Sequence, residues 1–187
     1  MKKYLMPSIK MTVVMLVICV LFYSLLVAGI GKLSPGAGGG EKVIVDGKIV
    51  GYTKLGQKFT DDKYFWGRPS AVDYNSAGSG GSNKGPSNPD YLKIVQERID
   101  TFLVHNPGIP KEQIPAEMVT ASGSGLDPDI SPASAYIQVK RIARVRGLTE
   151  NQLTKLIDEQ IQEPFLGIFG PATVNVLKLN VSLDKLK

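Results

Sequence analysis

The chain has 187 residues, enough for one ordinary domain, of which 43% are hydrophobic and 21% are charged. This balance excludes an intrinsically disordered chain, which would be poorer in apolar residues. Lys2, Lys3 and Lys10 precede all 17 acidic residues, so much of the formal net charge of +5 lies at the N-terminus. The remainder is nearly balanced and lacks a basic stripe for a phosphate backbone, and we therefore expect no nucleic-acid partner.

The residues that usually carry metal or catalytic chemistry are sparse. One cysteine, Cys19, and one histidine, His105, stand far apart in the sequence. A single Cys excludes an intramolecular disulfide, and this pair does not match any zinc motif. We predict no metal site and no catalytic residues in this chain.

The first predicted element is an apolar helix, because no charged residue lies between Lys10 and Lys32. At about 1.5 Å per residue, about twenty helical residues cross the roughly 30 Å hydrocarbon core of a bilayer. A cleaved signal peptide is the alternative, but its apolar region is shorter and ends at an A-x-A-like site, which Val27-Ala28-Gly29 matches poorly. We predict one uncleaved transmembrane helix over residues 11–31.

The flanking charges predict the orientation of this helix. Three lysines crowd residues 1–10, whereas only Lys32 and Lys42, partly offset by Glu41, follow the helix closely. The positive-inside rule then places residues 1–10 in the cytoplasm and the rest outside. A Gly-rich linker, residues 32–41, connects the helix to a soluble domain, residues 42–187.

Within the soluble domain, turn and cap signals predict a mixture of strands and helices. Asp46-Gly47 between two apolar runs predicts a type I′ hairpin, and residues 66–89 form a long Gly/Ser-rich loop. Asn88 is a cap for a helix over residues 89–104. Another helix runs from the Ser131 cap to Gly147.

Two further strands and a third helix complete the prediction. Thr149 and Gln152 form a capping box for a helix that ends near Gln162. Residues 118–120 read as a short strand, and alternating apolar residues between Val174 and Leu183 read as a final strand. The predicted fold class is α+β, or a small α/β sandwich, behind one transmembrane helix.

One Gly-rich motif could contact an anion. Ser122, Gly123, Ser124 and Gly125 lie between a predicted strand and a predicted helix, where backbone N–H groups can cradle a phosphate. The motif lacks the Gly-Lys-Ser/Thr ending of a Walker A loop. A structural turn and a nucleotide or anion site both remain open.

Two other clusters also allow two interpretations. Arg141, Arg144 and Arg146 on one helix are a solvated face or a docking site for an acidic partner. Tyr64-Phe65-Trp66, the densest aromatic cluster, packs in the core or forms an interface.

Longer strings of residues resemble one family, the C subunit of the Kdp potassium-transporting ATPase. They include Phe-Trp-Gly-Arg-Pro-Ser-Ala at residues 65–71 and Asn-Val-Leu-Lys-Leu-Asn at residues 175–180. The other matching strings are residues 73–75, 79–83, 85–89 and 119–132. The resemblance covers the predicted membrane helix and nearly all of the domain.

The resemblance implies a single-pass accessory subunit of a bacterial inner-membrane complex that imports potassium. Its implied partners are a channel-like subunit that selects K⁺, a P-type ATPase subunit that hydrolyses ATP, any small membrane subunit, and the lipid bilayer. This chain lacks the Asp-Lys-Thr-Gly-Thr phosphorylation motif and is not the catalytic subunit. The family is described as a catalytic chaperone that raises the ATP affinity of the hydrolysing subunit.

The resemblance also implies ATP as a ligand. The family's proposed nucleotide contact is a Gln after the Ala-rich start of a helix, which Gln138 matches. The Gly-rich pattern, and not the resemblance, adds residues 122–125 as further candidate contacts. The alternative is that Gln138 is a polar residue on a helix surface. Because the predicted orientation puts Gln138 outside and ATP is cytoplasmic, we favour an extracytoplasmic stabiliser and cap beside the K⁺ entrance. A direct ATP-binding module is the alternative function.

Overall fold

The computed structural model describes residues 2–186, and the chain divides into two compact units, Met1–Lys42 and Val43–Lys187. The first unit is a long helix built from α1 (Lys2–Leu16), a π-helical stretch (Val17–Phe22) and α2 (Tyr23–Gly31). Residues 3–31 are long and apolar enough to cross a membrane, and none of this apolar stretch is buried inside the protein. The predicted transmembrane helix lies within it.

Polar side chains in this helix bond to the helix itself. The Ser8 hydroxyl donates to the Tyr4 carbonyl oxygen at 2.8 Å, and the Thr12 hydroxyl donates to the Ser8 carbonyl oxygen at 2.9 Å. Such bonds to the preceding turn remove the cost of placing a hydroxyl in hydrocarbon.

The second unit begins with the predicted hairpin, formed by β1 (Lys42–Val45) and β2 (Lys48–Tyr52). Asp46 and Gly47 have φ values of 49° and 76°. Both central residues of a type I′ turn need positive φ, so the predicted turn is confirmed.

Helix α3 (Pro89–His105) also confirms its prediction, because the Asn88 side chain accepts a hydrogen bond from the Tyr91 N–H. Two 3₁₀ turns follow, Lys111–Gln113 and Ala116–Met118. The strand predicted at residues 118–120 is wrong. The Met118 N–H donates to the Pro115 carbonyl oxygen at 2.9 Å, because the proline starts a tight turn there.

The helix predicted between Ser131 and Gly147 is two helices, α4 (Pro132–Tyr136) and α5 (Val139–Arg146). Ser131 caps the first and Gly147, with φ 68°, ends the second, as predicted. The break occurs because the Gln138 side-chain Nε2 donates to the Ser134 carbonyl oxygen at 2.9 Å. The Gln138 backbone N–H bonds instead to Ala135, which tightens the turn.

Helix α6 (Glu150–Gln160) has the predicted capping box of Thr149 and Gln152. Three short strands, β3 (Asp129–Ile130), β4 (Ile161–Gln162) and β5 (Thr173–Asn175), form an antiparallel sheet in the order β3-β5-β4.

The final strand predicted from Val174 to Leu183 is wrong beyond residue 175. Helix α7 (Val176–Leu183) begins there, and the Asn175 side chain accepts a hydrogen bond from the Lys178 N–H at 3.1 Å. The buried positions 176, 179, 180 and 183 follow the helical period. Apolar residues at positions 174, 176, 179, 181 and 183 suggested a strand. Leu177 and Asn180 are buried as well, a pattern that fits a helix and not an alternating strand.

The core of the second unit lies among α5, α6, α7 and β5. Its fully buried side chains include those of Phe65, Ile142, Leu153, Ile157 and Leu179. Helices and short antiparallel strands are therefore mixed, as the sequence predicts.

Candidate functional site

Residues 61–66, which we call the clamped segment, are held by two buried side-chain amides. The Asn180 amide accepts from the Phe65 N–H at 2.8 Å and donates to the Phe65 carbonyl oxygen at 2.9 Å. The Gln138 amide does the same for Trp66, at 2.8 and 3.2 Å. Each amide thus pairs with the backbone as a neighbouring strand would, although the clamped segment has no partner strand.

Arg141 adds a charge to this clamp. Its side chain is fully buried, and its guanidinium donates to Asn106 Oδ1 at 3.0 Å, to Gln138 Oε1 at 2.6 Å and to the carbonyl oxygens of Tyr64 and Asp62. The sequence interpretation of Arg141 as part of a solvated face is therefore wrong. Because all three guanidinium nitrogens donate hydrogen bonds, the charge can be buried without being left unpaired.

The surroundings of Arg141 shift its pKa in two opposite directions. Burial lowers the pKa of Arg141 to about 10, and the carboxylate of Asp62, 3.8 Å away, opposes that shift. The guanidinium therefore stays charged at neutral pH and stacks over the Trp66 ring at 4.4 Å from its centroid.

Asp62 also joins the clamped segment to the end of α3. Its Oδ1 lies 2.8 Å from His105 Nδ1, and the His105 ring meets the edge of the Trp66 ring at 4.9 Å between centroids. The other two arginines of α5 differ in their surroundings. Arg144 is exposed, whereas Arg146 donates to the Lys63 carbonyl oxygen at 2.7 Å and to Asp184 at 2.6 Å.

The three residues of the aromatic cluster Tyr64-Phe65-Trp66 differ in burial. Phe65 is fully buried, and Tyr64 and Trp66 pack against the core while remaining partly exposed. The core interpretation of this cluster is confirmed for Phe65.

Gln138, the residue expected to contact ATP, is fully buried. Its amide bonds to Trp66, Ser134 and Arg141, so the alternative of a polar residue on the helix surface is wrong. In this arrangement the amide is not accessible to a nucleotide. A contact between Gln138 and ATP stays a prediction, and it requires the clamped segment to move away.

The Ser122–Gly125 motif, the other part of the predicted ATP site, contacts a different region. The Ser122 N–H donates to the Pro69 carbonyl oxygen at 3.0 Å, and the Ser124 carbonyl oxygen accepts from the Gly80 N–H at 2.8 Å. Ser122 and Gly125 are buried, whereas Gly123 and Ser124 are exposed. The motif therefore fastens the long Gly/Ser-rich loop, as the structural-turn interpretation expects.

Gly125 is required by this close packing. Its φ is +68°, and a Cβ there would lie 2.5 Å from the Val72 side chain and 2.8 Å from the Gly80 carbonyl oxygen. Only glycine fits such a position without displacing its neighbours. The Ser70 hydroxyl also donates to the Gly125 carbonyl oxygen at 2.7 Å.

A cavity of about 470 Å³ lies beside this loop and α3. Its lining includes neither Gln138 nor residues 122–125, so the predicted nucleotide contacts do not surround it. Tyr74 lines it, and burial together with the nearby Asp127 charge raises the pKa of Tyr74 to about 12. The principal lining residues are Lys58, Trp66, Arg68, Tyr74, Arg98 and Phe102.

Sequence reasoning missed the clamp. Arg141, Asn180 and Asp62 are brought together by contacts across more than seventy residues, which local periodicity does not reveal. One signal was present: Asn180 is a polar residue on the apolar face of α7, once that segment is read as a helix.

In the part of the chain that the structure describes, no three His, Cys, Asp or Glu side chains are grouped to hold a metal ion. Within residues 2–186, the fold thus combines one helix long enough to cross a membrane with a domain of mixed helices and strands. In that domain, buried polar side chains hold the clamped segment in place.

The comparisons with known proteins agree with the resemblance. The family described as K⁺-transporting ATPase, c chain (KdpC), matches residues 5–185, and the chain belongs to this family. The chain is 56% identical to the potassium-transporting ATPase KdpC subunit of Flavobacterium psychrophilum and 57% identical to that of Flavobacterium johnsoniae, over 99% of this chain and all of each relative. Identity to the KdpC subunit of Bacteroides thetaiotaomicron is 51% over 99% of this chain.

Proposed function

We propose that this chain is a non-catalytic, single-pass accessory subunit of an ATP-driven potassium importer of the bacterial inner membrane. One observation carries the proposal: in a family named for a transport ATPase, residues 3–31 form a helix whose apolar surface is wholly exposed in the isolated chain. Such a surface needs lipid and neighbouring helices around it. Its partners are a channel-like potassium-selective subunit, the P-type catalytic subunit and any small membrane subunit.

The soluble domain lies outside the cell in this proposal, because Lys2, Lys3 and Lys10 hold the N-terminus in the cytoplasm. Its effect on ATP affinity is then indirect. By binding one state of the catalytic subunit more tightly than another, the chain shifts the balance between states and acts as a catalytic chaperone. The burial of Gln138 supports this indirect coupling.

The test compares three preparations of the transport complex: complete, lacking this chain, and containing this chain with residues 11–31 replaced by an unrelated apolar helix. We expect loss of stable assembly and of K⁺-stimulated ATP hydrolysis without the chain, and partial loss with the replaced helix. Full K⁺-stimulated hydrolysis in a stable complex that lacks the chain would contradict the proposal.

The orientation is tested separately with the exposed Ser76. In a Cys19→Ala background, Ser76→Cys should react with a membrane-impermeant maleimide added outside spheroplasts. Labelling only in inverted vesicles would place the domain in the cytoplasm and reverse the orientation proposed.

Direct ATP binding remains the second candidate, because Gly123 and Ser124 of the predicted site are exposed. Full-length chain in detergent is titrated with ATP, and Gln138→Ala is compared with Asn180→Ala. Both variants break the same clamp, but only Gln138 is a predicted contact. ATP binding that is lost in Gln138→Ala and kept in Asn180→Ala would favour the direct module, whereas no binding by the unmodified chain would favour indirect coupling.

A further inference from the structure

Residues 164–170, which we call the apolar loop, project between β4 and β5. Four of its side chains are large and apolar, and Phe165, Leu166, Ile168 and Phe169 are 72%, 74%, 75% and 60% exposed. Single exposed apolar residues are ordinary in proteins, but four within five positions of one loop mark a surface that is covered by something else.

The backbone of the apolar loop bonds to itself. Phe165 and Phe169 exchange two N–H···O=C bonds of 3.0 Å, and the Gly167 N–H donates to the Pro164 carbonyl oxygen at 2.8 Å. The Ile168 N–H donates to the Phe165 carbonyl oxygen at 3.3 Å. A tip that satisfies these groups internally can leave water at little cost, as any structure entering hydrocarbon must.

The loop also carries no charge that would hold it in water. No Asp, Glu, Lys or Arg occurs from residue 164 to residue 177. The Phe165 and Phe169 rings lie 6.4 Å apart between centroids and form one compact apolar tip.

The linker between the helix and the domain is short. Residues 32–41 reach at most about 33–36 Å when fully extended, because each residue spans about 3.3–3.6 Å. A tether of this length makes any contact with the lipid surface intramolecular, so that even weak insertion is populated.

We propose that the apolar loop inserts into the interfacial layer of the same membrane that holds residues 3–31. The occupant is a lipid surface: Phe, Leu and Ile enter the boundary between headgroups and acyl chains, which is where apolar faces of peripheral segments lie. Insertion fixes the domain at a second point and limits its rotation about the linker. It rests on the anchoring part of the proposed function and not on potassium transport.

The test uses the full-length chain, with Cys19→Ala, in nanodiscs of phosphatidylethanolamine and phosphatidylglycerol. An environment-sensitive dye is attached at Ile168→Cys, and lipids with a nitroxide near the headgroup are added. We expect a blue-shifted emission and strong quenching by these lipids. The same dye at Ser76→Cys, an exposed site in the Gly/Ser-rich loop, should show neither.

A charge in the loop should abolish insertion. Leu166→Asp, added to the labelled chain, should remove most of the quenching without changing thermal unfolding, because Leu166 is exposed. Val104→Asp, at a side chain that is 78% exposed on α3, is the matched control and should leave the quenching unchanged.

Three outcomes would overturn the proposal. Equal quenching at Ile168→Cys and Ser76→Cys would show no specific insertion, and equal effects of the two Asp substitutions would show no role for the loop. Shielding of the dye only after assembly with the other subunits would assign the loop to a protein partner. Co-purification of the chain with lipid discs checks the anchor independently, so that a failed anchor is recognised as such.

Discussion

Arg141 shows how a buried charge can hold a backbone segment in place. Its guanidinium satisfies oxygen atoms of Asn106, Gln138 and the clamped segment at once. Removing the guanidinium leaves Asn106 Oδ1 and the Tyr64 carbonyl oxygen without their donor, whereas Gln138 Oε1 keeps the Trp66 N–H. Leaving acceptors unpaired in this way costs more than the lost attraction itself. We therefore expect a neutral substitute of similar size to destabilise the domain.

Arg141→Met should lower the free energy of unfolding by about 3 kcal/mol, the usual scale for removing one member of a buried polar cluster. Urea unfolding followed by Trp66 fluorescence measures it. Arg144→Met on the same helix is the control, because Arg144 is exposed and should change stability by less than about 0.5 kcal/mol. Equal losses in the two variants would contradict the role given to Arg141.

Glu117 should make stability depend on pH. Burial raises the pKa of this carboxyl, but hydrogen bonds from the Ser131 N–H, at 2.8 Å, and from the hydroxyl of Ser134 outweigh burial and lower it overall. A lowered pKa contributes stability above the ordinary range of glutamate, and this contribution is lost as the pH falls through the lowered value.

Glu117→Gln should accordingly reduce stability at neutral pH and flatten its fall on acidification, as measured by urea unfolding between pH 3 and pH 7. Ser134→Ala should act in the same direction and should not add fully to Glu117→Gln, because both remove the same hydrogen bond. An unchanged acid limb in Glu117→Gln would refute this account.

At the scale of elements, the helix ends were predictable and the helix interiors less so. Asn88, Ser131 and Thr149 cap their helices through bonds within three residues, so their sequences alone contain the signal. The break between α4 and α5 and the identity of α7 depend on contacts from distant segments. The buried side chains of Asn180 and Gln138 bond to the backbone of residues 65 and 66, respectively. No local sequence pattern predicts such distant partners.

The site was predicted less well than the fold. For residues 122–125 the sequence left a structural turn and a nucleotide contact open, and their contact with a nucleotide stays a prediction. The family, in contrast, followed from long matching strings. The pairing of Gln138 with Trp66 could not be read from the sequence, because it joins positions 72 residues apart. The spacing of the arginines even suggested that Arg141 is exposed to solvent, whereas it is buried.

The capping box of α6 offers a test at this scale. Thr149→Ala removes the acceptor of the Gln152 N–H, and we expect a loss of about 1 kcal/mol in the free energy of unfolding. Thr154→Ala, in the interior of the same helix, should be neutral or slightly stabilising because alanine favours helix. A loss at residue 154 as large as at residue 149 would show that capping is not the cause.

At the scale of the whole molecule, the chain combines a helix that lacks buried contacts with a domain that has an ordinary core. The apolar stretch of the helix is not buried by the rest of the chain, and its expected surroundings are lipid and the helices of other subunits. Stability of the domain and association of the helix should therefore respond to different substitutions. Cys19 lies in the middle of the helix and reports on that surrounding.

Cys19 should be protected from a water-soluble maleimide in intact membranes, because the hydrocarbon core keeps the reagent away from the thiol. Ser76→Cys in the same membranes is the reactive control. Labelling of Cys19 at the rate of the control would contradict a membrane-spanning helix. A mature chain whose mass lacks the whole N-terminal stretch, residues 1–10 together with the apolar helix, would indicate a cleaved signal.

The π-helical stretch Val17–Phe22 has a consequence for how neighbouring helices fit. Each i→i+5 bond inserts extra backbone into a turn, so the stripes of side chains above and below the stretch are rotated against one another. A straight neighbouring helix whose side chains interlock with those of α1 would then not interlock with those of α2. We therefore expect this helix to pack against two different helices, or against one helix that bends at the level of residues 17–22. The rotated rows of side chains would then allow only one depth for the helix among its neighbours.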